Sequence, residues 1–255
     1  MKNFNIAAKT SSAFTLIEVL VVIAVIAVLA SIAVPVLAGS GKVAKQAAEM
    51  AAARSIANAM QVYSSENNGA VLPGFHLRPG EVVTDSQSKP IGGQPAKRYP
   101  WRLAPYLGYD VETAFLASGQ KINDPGELQY MVSLVPSLGM NTVYLGGDDR
   151  KTPNPFNPRF ASSFAERGGI TRMTQALRPG QMIAFVSAAY DGSGGGDKQP
   201  GYFSVEYPAV NVDFRHSTDK ALVVFVDGHT ELLDREQLNN ERLWKNVPDA
   251  DYAMH

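Results

Sequence analysis

The sequence predicts an α+β protein, a long N-terminal helix packed on an antiparallel β-sheet head. Three observations carry this. From Val19 to Ala38 only Ser31 and Pro35 interrupt a run of Val, Ile, Leu and Ala. Helical spacing continues beyond it at Val43, Ala47, Met50, Ala53, Ala57 and Met60. The second half instead holds short β-rich runs, 181–190 (QMIAFVSAAY) and 221–226 (ALVVFV), the latter closed by an Asp227-Gly228 hairpin signal. Helix first and strands later is the pattern of α+β, not of alternating βαβ units.

Composition narrows the function classes. The 255 residues include no cysteine, 23 Lys plus Arg and 24 Asp plus Glu, for a net charge of −1. With 45% hydrophobic and 18% charged residues, wholesale disorder is excluded. The absence of cysteine excludes disulfides, thiolate metal sites, a thiol nucleophile and a cysteine-linked lipid anchor. Near-neutral charge argues against a coat for nucleic acid, and no nucleic-acid partner is predicted.

The first element is the apolar run. Ahead of it, residues 1–13 carry Lys2 and Lys9 and no acid, an export signature that favours a cytoplasmic N-terminus. Val19 to Ala38 is 20 residues, enough to cross a bilayer core as a helix. Ala38-Gly39-Ser40-Gly41 mimics a signal-peptide cleavage site, so composition alone fits an ordinary signal peptide. Glu18 argues against that reading. A carboxylate in the entry of an uncharged run costs about 2.5 kcal/mol or more on insertion. A lone anchor gains nothing from it, whereas helices packed side by side can pair it with a neighbour's terminal amine.

Ala13-Phe14-Thr15-Leu16-Ile17-Glu18 resembles the processing site of type IV pilins and type II secretion pseudopilins. The resemblance implies cleavage by a prepilin peptidase between Ala13 and Phe14, and N-methylation of Phe14. It makes Glu18 the assembly acid, and Pro35 falls where the family has a helix-kinking proline. The family most often has Gly before the cut, where this chain has Ala13. Loss of Lys2 and Lys9 would take the side-chain charge from −1 to −3.

The implied organisation is a leader (1–13), a transmembrane helix segment (14–38), an amphipathic continuation of the stem (39–67) and an α+β head (68–255). The implied function is a structural subunit of a type IV pilus-like or type II secretion pseudopilus-like filament, not an enzyme. Its partners would be copies of itself, other pilin-like subunits, the prepilin peptidase and an inner-membrane assembly platform. Its place would be the bacterial inner membrane, single-pass with the head in the periplasm or outside, and then a filament. The alternative is a periplasmic or cell-surface binding module or enzyme, tethered by an uncleaved N-terminal helix.

The remaining elements follow in order. On the stem, Lys45, Glu49, Arg54 and Asn58 occupy faces other than the apolar one, and Asn67-Asn68-Gly69 is a stop signal. A helix over 14–67 would be roughly 80 Å long, with Pro35, Gly39 and Gly41 as weak points. Residues 69–127 are rich in loop signals. Their aromatics Tyr99, Trp101 and Tyr106 are expected to cover the core under long loops, with a short helix near 111–118. Leu128–Val135, Thr142–Leu145 and Tyr202–Tyr207 read as further strands, and His229–Leu233 as the return of the hairpin. Asp234 is placed to cap a closing helix over Arg235–Trp244.

A second resemblance lies near the C-terminus. Arg215-His216, an apolar strand and Asp227-Gly228-His229 look like the C-terminal motif of the processing-associated pilin-like proteins of Verrucomicrobia and Planctomycetes. That motif has nine residues between His and Asp-Gly; here ten lie between His216 and Asp227. His216, Asp227 and His229 also invite a metal or acid–base reading, against which a metal site wants three or four ligands in fixed geometry. Asp191 and Asp197 flank a glycine run and are the calcium candidates, the only cofactor considered. Asp148-Asp149-Arg150 is a further acidic turn. No phosphate loop or G-x-S-x-G nucleophile context is present.

Overall fold

The computed structural model describes residues 15–116, 122–190, 199–216 and 218–248, with the backbone alone at 32–40, 42 and 199. The chain divides into two compact units, Met1–Lys45 and Gln46–His255. Helix α1 spans Leu16–Glu66. It runs without interruption through Pro35, Gly39 and Gly41. Among the described residues no helix is long and apolar enough to cross a membrane. The described side chains of the apolar run stop at Ser31, inside the segment 14–38 expected to span.

In the first unit, α1 is apolar on every side. Eleven large apolar side chains from Leu16 to Leu29 are 51–83% exposed.

In the second unit, α1 is amphipathic. Ala53, Ile56, Ala57, Ala59, Met60 and Tyr63 are buried, while Arg54, Ser55 and Asn58 face outward. The helix stops where expected. Asn68 (φ 55°) and Gly69 (φ 78°) take left-handed conformations, and the Gly69 amide returns to the Ser64 carbonyl at 2.7 Å.

A region of short elements follows. β1 (Val83–Thr84) and β2 (Pro90–Ile91) form a small hairpin. Behind them come α2 (Gly93–Lys97), α3 (Tyr99–Leu103) and α4 (Val111–Phe115). Tyr99, Trp101 and Leu103 are buried in the main core, as the aromatic cluster led us to expect. α5 spans Pro125–Leu134. Leu128–Val135 is therefore a helix and not the expected strand. The reason is local: Asp124 caps it, accepting from the Glu127 amide at 2.7 Å, and Pro125 supplies a helical φ at the first position.

The central sheet contains β3 (Leu138–Met140), β4 (Ile183–Ser187), β7 (Ala221–Phe225) and β8 (Thr230–Leu233), in that spatial order and all antiparallel. α6 (Ala161–Glu166) lies on the long connection from β3 to β4, and β5 (Ala189–Tyr190) pairs with β6 (Gln199–Pro200) beside the sheet. Register runs from Gly139 to Val186 to Val223 to Glu231. Strands β4 and β7 are buried at every position, which accounts for their continuous apolar sequence. One face of β7 (Leu222, Val224) joins the core under α1. The other (Ala221, Val223, Phe225) packs with Leu238 and Trp244.

Two other expected strands differ. Thr142–Leu145 is a turn that follows β3, with the Thr142 amide bonded back to Met140 O at 2.9 Å. Tyr202–Tyr207 makes only isolated bridges. Its Phe203 and Val205 amides go to two different neighbours, Leu134 O and Met140 O, so no ladder forms. The hairpin β7–β8 is as expected, with Gly228 at φ 95° in the turn. Asp234 caps α7 (Arg235–Leu238), accepting from the Gln237 amide at 2.9 Å. The closing segment then breaks at Asn239-Asn240 and resumes as a 3-10 turn over Glu241–Leu243, rather than running on to Trp244.

Candidate functional site

Two places concentrate the residues singled out in the sequence. The first is the start of α1. Ala13 and Phe14 lie outside the described residues; Thr15 and Glu18 do not. The Glu18 carboxylate accepts from the Thr15 amide at 2.9 Å and from the Thr15 hydroxyl at 2.8 Å. The Glu18 amide lies 3.3 Å from the Thr15 hydroxyl oxygen, its acceptor. This reciprocal capping box satisfies donors that a helix leaves open at its N-terminus. The acid therefore has a local use within one chain, and the signal, Thr-x-x-Glu, stood in the sequence unread. Glu18 is also the one charged side chain between Thr15 and Ser31, amid exposed Val, Leu and Ile.

The second place lies within the Gln46–His255 unit, where Arg215-His216 and the Asp227-Gly228 turn meet α1. Arg215 Nε lies 3.1 and 3.2 Å from the two Glu49 oxygens. Its Nη1 reaches Asp213 Oδ2 at 2.9 Å and Ala188 O at 3.1 Å, and its Nη2 reaches Ser137 O at 2.9 Å. His216 Nε2 lies 3.1 Å from Glu49 Oε2, within ion-pair range. Burial would raise the Glu49 carboxyl; the adjoining His216 and the charge of Arg215 outweigh it and hold the group below the usual carboxylate range. Glu49, expected on a polar face, instead faces the sheet, because that face is closed by a guanidinium from the far end of the chain.

The Asp227-Gly228 turn meets the same helix further on. Gln61 Nε2 donates to Val226 O at 2.7 Å, and a Cβ on Gly228 would sit 3.8 Å from that of Ala57. Asp227 Oδ1 accepts from the His229 amide at 3.1 Å and lies 2.6 Å from its Nδ1. The His229 ring stacks on Phe225 at 4.3 Å. Burial works to raise the Asp227 carboxyl, and the His229 amide and ring overcome it and hold it low. His216 thus pairs with Glu49 at one end of β7, and Asp227 with His229 at the other. The structure does not bring the three together.

Among the described residues no group of three or more His, Asp or Glu side chains is arranged to hold a metal. The calcium candidates Asp191 and Asp197 lie outside those residues. The acidic turn at 148–150 is committed internally: Asp148 accepts from Arg150 Nε at 2.9 Å, and Asp149 lies 3.3 Å from His76 and 4.0 Å from Lys97.

Comparison with known proteins bears on the first of these places. No curated protein and no solved structure matches the chain. Residues 8–34 match the family model described as the prokaryotic N-terminal methylation motif. The matched segment contains Ala13, Phe14 and Glu18, and it supports a type IV pilin-like or pseudopilin-like protein, with an α+β fold consistent with that class.

Proposed function

We propose that the chain is a structural subunit of a type IV pilus-like or type II secretion pseudopilus-like filament. A prepilin peptidase cuts between Ala13 and Phe14 and the new Phe14 amine is methylated. Before assembly the apolar part of α1 is held in the inner membrane; afterwards it packs against the same part of other copies. The observation that carries this reading is the methylation-motif match over residues 8–34, on a helix whose apolar side chains from Leu16 to Leu29 lie exposed. An apolar surface on all sides of a helix requires lipid or other helices around it. Leaving lipid for neighbouring helices loses little, since both surroundings are apolar.

In this proposal Glu18 neutralises the Phe14 amine of an adjacent subunit and sets the axial register. A groove of about 610 Å³ along the second half of α1 supports side-by-side packing. It is lined by the small residues Ala48, Ala51, Ala52 and Ser55, and by Tyr106 and Leu107. Small residues let a second helix approach closely. The head carries whatever specificity the filament has, and no catalytic role is assigned to it.

The test is the mature N-terminus. The chain is expressed with a prepilin peptidase and assembly platform, recovered from membranes and from sheared surface material, and read by mass spectrometry. Methylated Phe14 is the expected result. An intact Met1 would instead favour the tethered binding module or enzyme, a reading supported by the size of the Gln46–His255 unit, and a cut after Ala38 would make the helix an ordinary signal peptide.

A further inference from the structure

Away from both places, the Gln46–His255 unit contains a pair of arginines that no carboxylate fully balances. Phe75 bridges to Arg98 on one side and to Asp148 on the other, which draws positions 98 and 150 together. The Arg98 guanidinium lies 5.1 Å from the Phe203 ring centre and the Arg150 guanidinium 4.8 Å from the same ring. Phe75 lies a further 4.1 Å from Arg150, and Tyr130 5.6 Å from Arg98. Arg150 is paired with Asp148. Arg98 is paired with no carboxylate among the described residues. It is 7% exposed, its Nη1 donates to Ser133 Oγ at 3.0 Å, and its buried Nε has no partner.

Two guanidiniums share one aromatic ring, and the one acid there, Asp148, is taken by Arg150, whose side chain is 39% exposed; the surplus positive charge falls on the buried Arg98. Aromatic faces attract each cation but accept no hydrogen bond of the strength a guanidinium can donate. A buried donor without a partner costs on the order of 1–3 kcal/mol, more when charged. Burial first, and then the charge of Arg150, work against the charged form of Arg98. The phenol of Tyr130 stands beside Arg98 and that of Tyr202 beside Arg150, so two hydroxyls face the same pair. Tyr130 is 48% exposed, which puts the cluster at the surface on that side.

We propose that the Arg98–Arg150 pair is a binding site for an oxyanion, the carboxylate or phosphate of a small polar ligand that enters past Tyr130. The ligand supplies the missing acceptor for the Arg98 fork and balances the surplus charge. Tyr130 and Tyr202 give hydroxyl donors and flat faces, a combination suited to an acidic or phosphorylated sugar.

The experiment uses the full chain in detergent. Thermal unfolding and titration calorimetry are run with sodium glucuronate in one arm and inorganic phosphate in the other, with glucose and sodium chloride as controls. At least one anion is expected to bind with a dissociation constant below about 10 mM and to raise the melting temperature with concentration. Response to glucuronate alone identifies a sugar carboxylate, and response to phosphate a phosphorylated ligand. Arg98→Lys keeps the charge but loses the fork, and Tyr130→Phe loses only a hydroxyl on an exposed ring. Each is expected to weaken binding about fivefold or more. No binding of either anion would overturn the proposal, as would unchanged binding in both Tyr130→Phe and a folded Arg98→Lys.

Discussion

Arg215 Nε lies 3.1 Å from Glu49 Oε2, joining a loop residue to a helix residue 166 positions earlier. Arg215 also closes three other acceptors, so the guanidinium ties α1 to the segments at Ser137, Ala188 and Asp213. Its side chain is 19% exposed and that of Glu49 11%.

Removing one partner of such a pair strands the other. Arg215→Ala is expected to cost about 2–4 kcal/mol, the upper end being that of fully buried pairs. Glu49→Gln is expected to cost less, since its amide oxygen can still accept from Arg215. Denaturant unfolding of the two variants and the double variant measures both the losses and the coupling.

Acid should weaken the same contact. The folded Glu49 carboxyl is held below its ordinary value of 4.5, so it contributes stability that is present above that pH. The contribution is lost as pH falls through the ordinary carboxylate range and on down to the folded value. Urea unfolding at stepped pH is expected to give a shallower loss below pH 4.5 for Glu49→Gln than for the parent chain. Equal slopes would mean that Glu49 does not drive the acid sensitivity.

Glu18 has two candidate uses, and one substitution separates them. Gln at this position still completes a capping box but has no charge to offer an amine. Under the proposed function, Glu18→Gln leaves processing and the head intact while filaments seen by electron microscopy of shear fractions are lost. Filaments at the parent level would reduce Glu18 to a helix cap. Thr15→Val, which removes the cap and leaves the acid, is expected to cost about 0.5–2 kcal/mol of helix stability and to spare assembly.

The turn at Gly228 offers a geometric test. Its φ of 95° suits glycine, whereas an added Cβ would meet only Ala57 Cβ at 3.8 Å, an ordinary contact and no collision. Gly228→Ala is therefore expected to cost only backbone strain, about 1–2 kcal/mol by thermal unfolding. A larger loss would show that the turn's approach to Ala57 tolerates no methyl group.

Local signals in the sequence were reliable where the chain obeys them locally. The stop at Asn68-Gly69, the Asp227-Gly228 hairpin and the Asp234 cap all stand where their chemistry points. Leu128–Val135 misled because its β-branched and aromatic residues were weighed above Asp124-Pro125, a helix start just upstream. Glu49 and Arg98 were illegible for another reason. What closes on them lies far along the chain, Arg215 on Glu49 and Phe203 on Arg98, and a periodicity that marks a face as polar does not say what will close it. The Thr-x-x-Glu cap was legible and was missed because a costly acid in an apolar run drew attention to intermolecular uses alone.

The Gln61–Val226 bond spans 165 positions and the Glu49–Arg215 pair 166. Helix α1 is made first, yet these two partners follow only some 165 positions later. At ordinary ribosomal speed that is a wait on the order of ten seconds. During it, the Ala53–Tyr63 stripe has no sheet to lie on and Glu49 has no cation. A chain truncated before residue 215 would keep core partners such as Leu72, Tyr99 and Phe185 but lose β7 and both of these bonds. Order of manufacture thus makes Arg215 and Val226 a checkpoint: only a chain made past them can fasten this part of α1.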